Sequence, residues 1–149
     1  MFSKMLLCYD GSREGRAALK QGAELAAVFH AEVHLLAVIR TSAASVIGES
    51  MSTDAPFHDQ HHHIETILNE GVERLRARGI IAHGHVAIGE PVEEIAAVAH
   101  TLGVNLIVLG HRTRSAFARW WSGSVGVSLL DTATCSILVC LAAPDEPPA

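Results

Sequence analysis

No apolar run in this 149-residue sequence approaches the roughly 18 residues needed to cross a bilayer. The five residues between Lys4 and Asp10 are too few for the apolar core of a signal peptide. A cytoplasmic location away from membranes is therefore the expectation. Basic residues are also short: 11 Lys and Arg stand against 16 Asp and Glu, for a net charge of −5, and no basic stripe is present that could neutralise a run of phosphates. Nucleic acid is not an expected partner. Cysteine is scarce, and Cys8, Cys135 and Cys140 have neither metal-ligand spacing nor the density of a disulfide scaffold; they read as small core residues in a reducing compartment. Missing too are a GxxxxGK(S/T) P-loop and a GxGxxG after the first strand, which argues against a Walker-type ATPase and a dinucleotide dehydrogenase. There is no internal repeat, and the length leaves no room for a separate substrate domain.

What is there is 49% apolar, enough for one domain that buries roughly two thirds of its unfolded surface. Short apolar runs alternate with longer helical patterns, the signature of strand-helix-strand units and a parallel sheet. The runs predict strands at residues 5–9, 33–39, 81–88, 105–109 and 137–141. The third alternates as an outer strand does, with His83 and His85 opposite Val86 and Ile88. A helix over about 14–29, with Ser12 as its cap, puts Ala18, Gly22, Leu25, Ala26 and Phe29 on one side. Ile64, Ile67, Leu68, Val72 and Leu75 mark a second helix that stops at Gly79. Gly89-Glu90-Pro91 opens a third, in which Ile95, Val98, Ala99 and Leu102 face the sheet before Gly103 ends it. A last short helix is expected over about 124–131. The connection 40–59 is rich in Ser, Ala and Thr without apolar period, and is a candidate lid or partner-facing segment. The domain is expected to span 1–142, with the acidic, proline-rich 143–149 as a disordered tail.

In open α/β sheets ligands sit beyond the carboxyl ends of the strands, where strand order reverses. Two distant segments qualify. One is Asp10-Gly11-Ser12; the other is Gly110-His111-Arg112-Thr113, followed after nine residues by Gly123-Ser124 at a helix start. A helix N-terminus behind a glycine offers unpaired N–H groups to phosphate oxygens, and Ser124 adds a hydroxyl donor. Read alone, the glycines could simply make turns, and Asp10 could be a turn former or cap.

Together with MLLCYDGS, VHLLAVI, GEPVEEI and the closing ILVC, this order resembles the universal stress protein family over nearly the whole chain. The family loop reads G-x2-G-x9-G-(S/T). The resemblance implies a three-layer α/β fold of the adenine nucleotide alpha hydrolase-like kind: an open five-stranded parallel sheet with helices on both faces. It further implies a stress-response regulatory protein, commonly a homodimer paired through the last strand, here Ile137, Leu138, Val139 and Cys140. In the nucleotide-binding branch an acidic residue after strand one holds the ribose, which maps to Asp10. Adenine lies at the end of strand two, mapping to Val38, and phosphates rest on Gly110, Gly123, Ser124 and Val125. The expected cofactor is ATP or a related adenine nucleotide, with Mg²⁺ as its accompanying ion.

Thr113 departs from this pattern by standing where the second glycine belongs. If that position needs a left-handed backbone, a β-branched residue there costs about 1–2 kcal/mol, and its Cβ crowds the phosphate. Arg112 and Arg114 could supply phosphate charge, and the threonine hydroxyl is a donor. Gly126 removes a hydroxyl that the family often carries. Two alternatives stay open: a dimeric interaction module that no longer holds nucleotide but contacts other proteins, and a slow hydrolase with His111 as general base, for which no orienting carboxylate is visible. Trp120 and Trp121 read as packing residues of the loop rather than base-stacking ones. His58, His61, His62 and His63 include a pair one helical turn apart, but without a Cys or a carboxylate cage they read as a solvated helix start. No catalytic residue or metal ligand is assigned.

Overall fold

Residues 5–8 are apolar without interruption, as a strand covered on both faces requires. In the computed structural model, β1 (Lys4–Cys8) is the centre of a five-stranded parallel sheet ordered β3-β2-β1-β4-β5. Its neighbours are β2 (Glu32–Ile39), β3 (Ala82–Ile88), β4 (Leu106–His111) and β5 (Ser136–Leu141). The structure describes residues 1–11, 13–40, 55–111 and 129–141, without the side chains of 13, 14, 55–58 and 111.

The period of two along each strand sorts the core into two halves. Met5, Leu7, Val33, Leu35, Ala37, Leu106 and Val108 point to one face and meet α1 (Arg13–Phe29) and α2 (Ala55–Ala77). Leu6, Cys8, Leu36, Ile107 and Leu109 point to the other and meet α3 (Pro91–Leu102) and α4 (Leu129–Thr132). Three layers follow, as expected. Small residues let the helices approach closely: Ala18, Ala23 and Ala26 of α1 are buried, and a Cβ on Gly71 of α2 would stand 2.6 Å from Leu35 Cδ2 and 3.0 Å from Tyr9 Cε1.

Polar links fix the amino ends of the strands. Asn105 Oδ1 accepts from the Lys4 backbone N–H at 3.2 Å, its Nδ2 donates to the Met1 carbonyl at 2.9 Å, and its own N–H donates to the Lys4 carbonyl at 3.0 Å. Arg76 of α2 donates from Nε (3.2 Å) and Nη2 (2.9 Å) to the Ala82 carbonyl, tying the start of β3 to the helix above it. At α3, Pro91 takes the first turn, Glu93 and Glu94 follow, and Gly103 closes the helix at φ 63°.

Some expectations move. α2 starts at Ala55, so residues 55–59 of the expected connection are helical. In the turn that follows, Asp59, Gln60, His62 and His63 are exposed and give no apolar period. The short helix before β5 is seen over Leu129–Thr132. Residues 41–54, the Ser12 cap, residues 124–128 and the tail lie outside the described residues. Among those described, no helix is long and apolar enough to cross a membrane.

Gly71→Val is expected to lower stability by about 1–3 kcal/mol, because the added methyls meet two closely packed side chains and outweigh the gain in helix propensity. A urea melt with an unchanged or higher midpoint would show that α2 lifts off the sheet without loss.

Candidate functional site

The chain leaves β1 for β2 and β3 on one side and returns for β4 and β5 on the other, so strand order reverses between β1 and β4. The carboxyl ends of β2, β1 and β4 adjoin there. β1 runs on past its last paired residue, since the Tyr9 N–H donates to the Leu36 carbonyl at 2.8 Å. That bond delivers Asp10 to the sheet rim, exposed to solvent. Gly11 then turns the chain at φ 78°, and its Cα lies so close to α2 that a Cβ would stand 2.9 Å from Ile67 Cγ2. Only glycine meets both demands without strain.

Val38 is half-buried on the α3 face of β2, in register with Ala87 of β3. The strand ends there are held by the Gly89 N–H, which donates to the Ile39 carbonyl at 2.9 Å. Gly110 is buried in β4, opposite Cys140 of β5, and His111 is the last residue of the strand. Asp10, Val38 and Gly110 therefore stand at the same end of three neighbouring strands. Arg112, Thr113, Gly123, Ser124 and Val125 lie outside the described residues, as do Arg114, Trp120, Trp121 and Gly126.

Acidic groups collect at this rim. Glu90 sits at the start of α3, and Arg40 Nη2 lies 3.8 Å from its Oε2 in a solvent-facing pair that contributes little to stability. Burial pushes the Cys8 thiol far up, and the Asp10 carboxylate adds to this, so Cys8 stays a neutral thiol rather than a nucleophile. Burial also raises Cys135 and Cys140, and all three cysteines are free.

A model of the universal stress protein family matches residues 1–140. The chain belongs to that family. The universal stress protein YxiE of Bacillus subtilis is 33% identical over 150 residues, covering 93% of this chain and 99% of that protein. Two solved family structures share the fold: a universal stress protein in complex with cAMP (TM-score 0.70, 19% identity, covering 95% of this chain and 98% of that one), and a family protein from Arabidopsis thaliana with AMP bound (TM-score 0.68, 16% identity, covering 99% and 96%). In this universal stress protein the described part of the expected site is thus one rim of the sheet, built from the ends of β1, β2 and β4.

Two histidine groups remain, one on α2 that was visible in the sequence and one across β2 and β3 that was not. On α2, His61 Nδ1 lies 3.6 Å from Glu65 Oε1 one turn on, and His62 and His63 are exposed. At the far end of β2, Glu32 and His34 meet His83 and His85 of β3. An i, i+2 spacing of polar residues in two successive strands was the available signal; what it lacked was the register that pairs them.

Gly11→Ala is expected to cost about 1–3 kcal/mol through a left-handed backbone and the contact with Ile67. Chemical denaturation at an unchanged m-value measures this, and a loss below about 0.5 kcal/mol would mean that the turn relaxes freely.

Proposed function

We propose that this protein binds an adenine nucleotide at the rim formed by β1, β2 and β4 and acts as a homodimeric regulator in the stress response, with little chemistry of its own. The observation that carries the reading is the meeting of Asp10, Val38 and Gly110 at the carboxyl ends of three adjacent strands, at the reversal of strand order. Support comes from the cAMP and AMP held by two proteins of the same fold. Asp10 is an exposed, acceptor-only group when ionised, suited to a pair of ribose hydroxyls. Val38 offers an apolar edge for the base. Phosphates would rest on Gly110, Gly123, Ser124 and Val125, with Arg112 supplying positive charge and Thr113 a hydroxyl; ATP with Mg²⁺ is the fullest ligand that such a row of donors serves.

The experiment is calorimetry of the purified chain, stripped of carried-over ligand, against AMP, cAMP and ATP with and without Mg²⁺. Micromolar-range binding of at least one is expected, weakened about tenfold or more in Asp10→Ala by loss of a charged hydrogen-bond acceptor. Thr113→Gly is expected to tighten binding by restoring backbone freedom. Absence of heat and of any thermal shift at millimolar nucleotide would overturn the reading and leave an interaction module of the same fold.

For the dimer, β5 is an edge strand whose Ile137, Leu138 and Val139 remain partly exposed while Cys140 is buried. Such an apolar edge invites pairing with a second copy. Val139→Lys is expected to yield a monomer by light scattering; a persisting dimer would put the seam elsewhere.

A further inference from the structure

His34 is the one polar or charged residue buried in the core among the described residues, at 6% exposure. It lies in β2 beside Leu6 of β1 and opposite His83 of β3. Its ring stacks on His83 with centroids 5.1 Å apart and is 5.1 Å from the ring of His85. His34 Nδ1 and His85 Nε2 are 2.8 Å apart, a hydrogen bond between two imidazoles. Such a bond needs one donor and one acceptor, so it exists only while at least one ring is neutral. On the other side, His34 Nε2 lies 3.0 Å from Glu32 Oε1, and His83 Nε2 lies 3.3 Å from the same oxygen.

No group of three His, Cys, Asp or Glu among the described residues is arranged to hold a metal ion. The cation that titrates these side chains is the proton. Glu32 can balance one imidazolium. A second would break the His34–His85 bond, place like charges about 5 Å apart and leave one of them without a counter-charge.

We propose that Glu32, His34, His83 and His85 form a proton-operated latch on the β2–β3 seam, closed while His34 and His85 share a hydrogen bond and released when both become imidazolium. Three groups act on His34: Glu32 from its own strand, and His85 and His83 from the neighbouring one. Burial lowers its proton affinity most, Glu32 opposes this, and the two histidines add to the lowering. His85 is lowered by burial and then by His83. Both groups bind protons less readily folded than unfolded. Their contribution to stability is therefore complete above about pH 6.5, the ordinary histidine value, and is lost as pH falls below it. The strand at risk is β3, because it is the sheet edge and has β2 as its one partner.

Hydrogen exchange at pH 7.5 and 5.5, corrected for intrinsic rates, tests the latch. Opening that takes up one to two protons changes about ten- to hundredfold per unit of pH while the rings titrate. Peptides covering residues 82–88 are accordingly expected to lose at least about tenfold in protection at pH 5.5, with those from β1 and β4 little changed. His34→Leu and His85→Gln, neither able to carry the charge, should flatten the response, and His61→Gln on α2 should leave it intact. If His34→Leu fails to fold, His85→Gln carries the comparison. Equal protection of β3 at both pH values, a loss spread evenly over β1 and β4, a wild-type response in the folded variants, or abolition of the response by EDTA would each overturn the proposal.

Discussion

Everything in this fold depends on β1 being covered on both faces. Met5, Leu6 and Leu7 are at most 1% exposed, and each such side chain contributes about 1.5–3 kcal/mol by leaving water. A strand that apolar cannot lie at an edge or against one layer. It must be central, with helices above and below, and parallel neighbours reached by crossovers. From that single demand come the three layers, the departure of the chain first to one side and then to the other, and the reversal of strand order between β1 and β4. The candidate site is a consequence of the core rather than an addition to it.

The same logic explains which parts were legible in the sequence. Apolar runs, and for the third strand an alternating one, placed all five strands to within a residue or two, and the spacing of Ile64, Leu68, Val72 and Leu75 gave the buried stripe of α2. These signals report burial, so they end where burial ends. The first turns of α2 carry Asp59, Gln60, His62 and His63 in solvent and have no stripe to read. Asp10, Val38 and Gly110 were legible through the family pattern, and their common rim follows from strand order, which no local spacing encodes. The meeting of Glu32 and His34 with His83 and His85 depends on register between strands separated by α2, and was invisible for that reason.

A buried histidine in a central position of a strand is a costly choice where Leu35 and Leu36 beside it show what the site otherwise prefers. An apolar residue at 34 would pack against Leu6 without needing a partner. The histidine is held instead by a bond to a second imidazole, which is a conditional bond: its strength depends on the proton count of the pair. Glu32 cannot remove that condition, since one carboxylate serves both His34 and His83.

β2 carries both the buried histidine and Val38. His34 and Val38 are on the same face of the strand, four residues and thus roughly 13 Å apart. Beyond Val38, the Gly89 N–H bond to the Ile39 carbonyl closes the β2–β3 pair at its carboxyl end, and the Val33 N–H bond to the Ile81 carbonyl closes it at the other. β3 is thus held to β2 along its length by the backbone ladder, tied to α2 at its start by Arg76, and joined to β2 in its middle by one side-chain bond that titrates.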